Sequence, residues 1–348
     1  MHVAAVVYTP TRAVEWLNRR SPHMKSSTEH INYLDGWRGL AIALVLEGHF
    51  LGMIPLETGR MGVDIFFCLS GFLMSGVLFI KQQPLGMFYR RRISRILPAF
   101  LLFVAAIYVA AFWQGTAFTR SEVISTILFL RTYFPIDTGI WGTGIPIGHL
   151  WSLNIEEHSY VFMSFIVLLG IFRGWQGVVL LLTGIACIGI GILYVKLGDR
   201  APRWGALGSE VAASHLLISA GYRLIREKYS VQVPPYAPLI ALALAFLCYS
   251  KLLPWWSSSL ISPFLLAFTV NHLSQTYQTF KSLLSAKLLR MLGIWSFSIY
   301  LWQQPFYSYK SSFPGGAPTA LAGAVAVALF CFYLWEQPCR SWLNNNWR

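Results

Sequence analysis

The chain is predicted to be an all-α, polytopic transmembrane helical bundle of about ten spans with both termini cytoplasmic. Three observations carry that expectation. First, 55% of its 348 residues are hydrophobic and only 12% are charged, against about 25% charged in soluble domains. Second, apolar runs of about 20 residues, long enough to cross a bilayer, recur from end to end. Only helices or closed barrels satisfy their backbone in lipid, and these runs are too long and too uniformly apolar for barrel strands. Third, with the N-terminus inside, most of the 27 lysines and arginines fall in cytoplasmic segments. That bias sets orientation and supports an even number of crossings.

In chain order, residues 1–30 are polar and basic and read as a cytoplasmic N-terminal tail, too broken by Pro10 and Arg12 for a signal-peptide core. A transmembrane domain over 31–340 and a short C-terminal tail over 341–348 follow. The spans are expected over 36–55, 62–80, 96–113, 152–171, 177–195, 206–222, 236–250, 255–272, 293–310 and 318–336. The run 123–130 is too short to cross and, with 136–148, reads as a non-cytoplasmic loop. The net charge of +13 is explained by loops on one membrane face, so membrane lipid is an expected partner and nucleic acid is not. Five scattered cysteines offer neither zinc spacing nor a disulfide framework, and no metal is expected. The expected location is the plasma (inner) membrane.

An ionisable residue in a lipid-embedded helix needs a partner or a task. The first span carries Arg38 and His49, eleven residues apart. At 100° per residue that separation is three turns plus about 20°, so both side chains share a face, about 16 Å apart along the axis. A spanning helix would put the arginine at one surface and the histidine near the midplane. The imidazole can act as general base or accept an acyl group itself. Arg92 and Arg95 lie on one face at the start of the third span and, with Arg38, make an anion clamp suited to phosphate. Asp64 enters the second span from outside, and Ser70-Gly71 within it reads as close helix packing. His149 and Glu156 share a face at the outer entrance of the fourth span. Gln303, Gln304 and Pro305 suggest a kinked helix lining a cavity. Glu336 reads as an interfacial residue.

These segments, in this order, resemble the acyltransferase-3 family of integral membrane O-acyltransferases, from about Tyr33 to Arg340. The matching pieces are Leu34-Asp-Gly-Trp-Arg-Gly with His49, Gly62-Val-Asp-Ile-Phe-Phe with Leu69-Ser-Gly-Phe-Leu73, Arg92-Ile-Ser-Arg95, Trp151-Ser-Leu with Glu156, and Tyr300-Leu-Trp-Gln-Gln-Pro305. The resemblance implies transfer of an acyl group, usually acetyl, from cytoplasmic acyl-coenzyme A to a hydroxyl, typically of an envelope or exported glycan. It implies His49 as the catalytic histidine, Arg38, Arg92 and Arg95 as coenzyme ligands, and Glu156, within the acceptor-side motif, as a second candidate catalytic residue. Asp64, His149, Trp151, Gln303 and Gln304 are the expected substrate-binding residues. Three departures stand out: Gln303 where many members have His, Glu47 at a usually apolar position, and His158-Ser159 after the paired glutamates. Some members carry a fused esterase-like domain, so a separate extracytoplasmic partner is a further expectation. The alternatives are a permease without covalent chemistry, acylation of a small molecule, or a structural subunit of a glycan-export complex. A permease predicts repeat symmetry and discontinuous helices, and the sequence displays neither.

Overall fold

The structure, a computed structural model, describes residues 32–170 and 172–347. The tail expected over 1–30 lies outside the described residues. Every named element among those described is helical, and an isolated β-bridge pairs Leu56 with Ser250 between helices. Helix α1 runs over Asn32–Leu46 and continues as a π turn over Glu47–Leu51. Then come α2 (Thr58–Ser75, extended by a π turn over Gly76–Ile80) and α3 (Leu85–Trp113). The short α4 (Arg120–Ile127) opens on a capping box between Thr119 and Glu122, and matches the run judged too short to cross. After it come α5 (Trp151–Leu169), α6 (Gln176–Leu197), α7 (Ser214–Tyr229) and α8 (Ala237–Cys248). The chain ends with α9 (Ser262–His272), α10 (Gln278–Leu284), α11 (Lys287–Ser308), α12 (Ala317–Cys331) and α13 (Gln337–Asn346).

Each expected span coincides with helix. Among the described residues four helical stretches are long and apolar enough to cross a bilayer alone: Thr58–Ile80, Leu85–Trp113, Gln176–Arg200 and Ala317–Asn346. The pair α10–α11, bent by 53° at its break, would make a fifth. The remaining helices are shorter or richer in polar side chains, several of which turn inward rather than toward lipid. The chain is thus a helical membrane protein by architecture. Residues 341–346, expected as a loose tail, belong to α13.

Helix α1 is enclosed on both flanks. Trp37, Ala41 and Leu44 pack into one apolar cluster with Met61, Ile65, Leu266 and Val270, while Ile42 and Val45 join another with Phe67, Ile155 and Ile299. A helix apolar nearly all round belongs in a core. Its most extensive neighbour is α11. A Cβ on Gly39 would lie 1.9 Å from the Leu289 carbonyl oxygen, and one on Gly293 would lie 1.9 Å from that of Asp35. The two backbones therefore touch, as small residues permit in membrane bundles. The helices run parallel: ten residues on in each, from 39 to 49 and from 293 to 303, His49 meets Gln303, about 15 Å from the glycine contact.

Two features of these helices add to the expectations. His49 lies in the π turn that ends its helix. Gly52 adopts the left-handed conformation at φ +59° and ends the π turn, its N–H bonding the Glu47 carbonyl, which glycine tolerates best. The Glu47 carboxylate then binds the returning chain, accepting from the Ile54 N–H at 2.8 Å and from the Thr58 hydroxyl. The histidine is thereby fixed in the last turn of its helix. In α11 the helix continues through Pro305 to Ser308; the sharp bend precedes it, between α10 and α11.

Replacing Gly39 or Gly293 by alanine should push α1 and α11 apart and lower stability by about 1–3 kcal/mol, the usual cost of an overfilled core. Thermal unfolding in detergent measures this, and an unchanged midpoint would contradict the backbone contact.

Candidate active site

Two cavities meet inside the bundle, and the ten expected site residues line them or sit directly behind. The smaller, about 110 Å³, is lined by Arg38, Ser70, Arg92, Arg95, Glu156 and Tyr160, among others. The larger, about 810 Å³, is lined by His49, Asp64, His149, Trp151, His215 and Gln304, among others. Val63 and Tyr300 line both and form the partition. The Tyr300 hydroxyl is held by Ser152 Oγ at 2.6 Å and donates to the His149 carbonyl at 3.0 Å. The Arg38–His49 face read from helical spacing is thus divided into two compartments, because Val63 of α2 packs across it.

In the arginine compartment the three guanidinium groups are not equivalent. Arg92 bonds two carboxylates, with Nη2 3.2 Å from Glu156 Oε2 and Nε 2.9 Å from Glu157 Oε1. It also lies 3.6 Å over the Tyr160 ring, a cation–π contact. Arg38 pairs with Asp35 one turn back, at 3.4 Å. Arg95 makes no side-chain hydrogen bond or ion pair to another described residue, yet lines the cavity. It is the guanidinium left to meet an incoming anion. Glu156 lies here, with its oxygens taken by Ser70 Oγ at 2.9 Å, Arg92, and the Tyr160 hydroxyl at 3.1 Å. The expectation grouped it with His149. His149 lies in a 3-10 turn (Gly148–Leu150) that precedes α5, while Glu156 lies within α5, and the two line different cavities.

The His49 compartment has a different chemistry. His49 Nδ1 lies 2.7 Å from Gln303 Oε1. A carboxamide oxygen can only accept, so Nδ1 carries the proton and Nε2 keeps its lone pair. The Gln303 amide nitrogen lies 3.4 Å from Gln304 Oε1, a contact that agrees with its oxygen facing the ring. The imidazole stacks on Tyr307 with ring centroids 4.4 Å apart, and Lys310 Nζ donates to the His49 carbonyl. Gln303 is fully buried behind this stack. Asp64 also lines the cavity and accepts from the Tyr249 hydroxyl at 2.7 Å. His215 approaches Asp64 at 3.6 Å and Ser262 Oγ at 3.2 Å.

Sequence reasoning passed over several of these groups. Ser70 was expected only to allow close packing, but its hydroxyl bonds Glu156. Tyr300 and Tyr307 escaped as site residues, although 300, 304 and 307 recur at the helical spacing that puts them on one face. His215 is a lone ionisable group in α7 and could have been flagged on that ground. Glu336, expected at an interface, is 3% exposed and accepts from Ser298 Oγ at 2.5 Å. Among the described residues no group of three or more His, Cys, Asp or Glu is placed to hold a metal ion.

Fold and site together define a helical membrane protein with a cationic chamber joined to an imidazole chamber. The chain belongs to the acyltransferase-3 family and is an acyltransferase: the family model described as "Acyltransferase domain" matches residues 31–336. It is 28% identical over 318 residues to "Putative peptidoglycan O-acetyltransferase YrhL" of Bacillus subtilis, covering 81% of this chain and 50% of that protein. It is also 28% identical over 316 residues to "Peptidoglycan O-acetyltransferase OatA" of Listeria monocytogenes, covering 80% of this chain and 50% of that one. The chain thus spans about half the length of the curated relatives it matches. No solved structure matches it.

The arginines should separate experimentally. Arg92→Gln leaves two enclosed carboxylates facing one another and should lower stability by about 3 kcal/mol, as for other broken buried pairs. Arg95→Gln should leave the melting temperature unchanged and raise the Michaelis constant for an anionic acyl donor by about tenfold, the worth of one charge-assisted contact. Equal effects of both substitutions on melting would contradict this division of labour.

Proposed function

We propose that this acyltransferase crosses the plasma (inner) membrane ten times with both termini in the cytoplasm. In this reading it moves an acyl group, acetyl in the simplest case, from cytoplasmic acyl-coenzyme A to a hydroxyl of an envelope or exported glycan. The observation that carries the reading is the pair of compartments sharing Val63 and Tyr300, one basic and the other holding a base with an open lone pair. A donor bearing several phosphates suits Arg38 and Arg95, with Arg92 held beside them by Glu156 and Glu157. Glu156 is then a positioning residue for the donor chamber rather than a proton carrier. The thioester arm reaches the partition from that side, and the acceptor enters the larger cavity. Relatives named as peptidoglycan O-acetyltransferases support a glycan acceptor.

The chemistry follows from His49. Nε2 removes the proton from the acceptor hydroxyl as its oxygen attacks the thioester carbonyl. A C–O bond forms, the C–S bond breaks, and the thiolate takes the proton back from the imidazolium. In the variant route Nε2 itself attacks first and expels the thiolate, and the hydroxyl then displaces the acyl group from nitrogen and gives its proton to that thiolate. Both routes need Nδ1 protonated, which Gln303 provides. Asp64, Trp151 and Gln304 line the acceptor side of the cavity.

His49→Ala should reduce transfer by about 10³-fold, within the range for loss of a general base, while leaving the protein folded. Gln303→Leu should cost about tenfold or more by freeing the imidazole to take the wrong tautomer. Release of free thiol from labelled acetyl-coenzyme A, with label appearing in a glycan acceptor, measures both. Undiminished transfer by the His49 variant would remove the assignment.

A further inference from the structure

His149 is the group in the larger cavity that the steps above leave unused. Its side chain is 2% exposed, and neither Nδ1 nor Nε2 has a hydrogen-bond partner among the described residues. Every other described histidine has one: His49 with Gln303, His158 with Ser209, His215 with Ser262, and His272 with Tyr222. Buried polar atoms are rarely left unpaired, because water that once bonded them is not replaced. Nothing packed on the ring calls for a histidine. Phe103 meets it edge-on with centroids 5.4 Å apart, and Tyr300 does so at 5.2 Å. A phenylalanine would satisfy both contacts.

The backbone of the same residue is firmly held. Its carbonyl accepts from the Tyr300 hydroxyl at 3.0 Å, and Ser152 Oγ, 3.1 Å from the same carbonyl, donates to the Tyr300 oxygen at 2.6 Å. Packed edge-on against Phe103 and Tyr300, the imidazole stands beside the partition, in the wall of the cavity that also contains His49. A rigid, unsatisfied polar group at that position needs a partner that arrives with the substrate. We propose that His149 donates a hydrogen bond to the carbonyl oxygen of the acyl group as transfer occurs. The inference rests on the acyltransferase reading above and adds a second catalytic residue to it.

The complementarity between the two imidazoles is chemical. His49 presents a lone pair, because Gln303 fixes its other nitrogen as the donor. A neutral imidazole always carries one N–H, and at His149 that N–H has no acceptor among the described residues. When the hydroxyl oxygen bonds the carbonyl carbon, the C=O π pair moves onto the carbonyl oxygen. The His149 N–H stabilises that charge without reorganising, since it is already oriented and desolvated. Collapse reforms the C=O bond and expels the thiolate, as before, and His149 keeps its proton throughout. The same donor serves if the acyl group rests first on His49.

The test uses the purified full chain in detergent, with acetyl-coenzyme A as donor, a chitin oligosaccharide as acceptor, and acetonyl-coenzyme A as a ketone analogue. His149→Phe should lower kcat by about 100-fold, as loss of one such donor does, with the donor Michaelis constant within about threefold and the melting temperature unchanged or raised. His149→Gln, which restores an N–H but no base, should recover most of that loss. The infrared carbonyl stretch of bound acetonyl-coenzyme A should lie at lower wavenumber in the wild type than in His149→Phe. An identical carbonyl frequency in the two proteins, a Gln variant as slow as the Phe variant, or a marked drop in melting temperature for Phe would each overturn the proposal. If the wild type neither binds the analogue nor releases thiol, the donor reading itself fails, a result distinct from any of those.

Discussion

The direct contact between the α1 and α11 backbones is the constraint on which the site is built. Gly39 and Gly293 let the two helices approach until backbone meets backbone. Because the helices are parallel, that contact also fixes their register. At one end it holds Arg38, the residue next to Gly39, in the arginine chamber. At the other it brings Gln303 within 2.7 Å of His49. A shift of one helix by a single residue, about 1.5 Å along the axis and 100° around it, would separate the amide from the imidazole. Site precision here comes from rigid secondary structure rather than from loops.

The partition gives the two chambers their separate characters. On one side, carboxylates and an aromatic ring neutralise Arg92, while Arg95 remains open. On the other, a buried amide and a stacked tyrosine orient a single base. Tyr300 reaches both, tied to Ser152 and to the His149 carbonyl. In the proposed reaction the acyl group is the part of the donor that passes from one environment to the other.

Much of this was legible in the chain. Composition and apolar runs gave the helical membrane class, and each expected span lies on a helix. Ionisable residues in oily segments are costly enough to mark a site, so Arg38, His49, Arg92, Arg95, Asp64, His149 and Glu156 all stand out before any coordinates. What a single sequence does not contain is which helices touch. Helical spacing put His149 with Glu156, but a 3-10 turn over 148–150 precedes the helix and the Val63–Tyr300 wall stands between the two cavities they line. Gln303 read as a departure from a family pattern, and only the α1–α11 register reveals its hydrogen bond. Hydropathy is likewise blind to inward-turned polarity. Helices α1 and α5, which hold Arg38, His49 and Glu156, are among those that length and apolarity alone do not mark as spans.

The residue behind His49 has one last consequence. Gln303 is a carboxamide, and a carboxamide neither gains nor loses a proton across the biological range. A carboxylate in its place would add a formal negative charge and a second titrating group coupled to the ring. With an amide, the acid–base behaviour of the pair belongs to the imidazole alone. The rate–acidity curve of such an enzyme has a single ionisation to report on its acid limb from this pair, where protonation of the imidazole removes the base, and the hydrogen bond itself persists on either side of it.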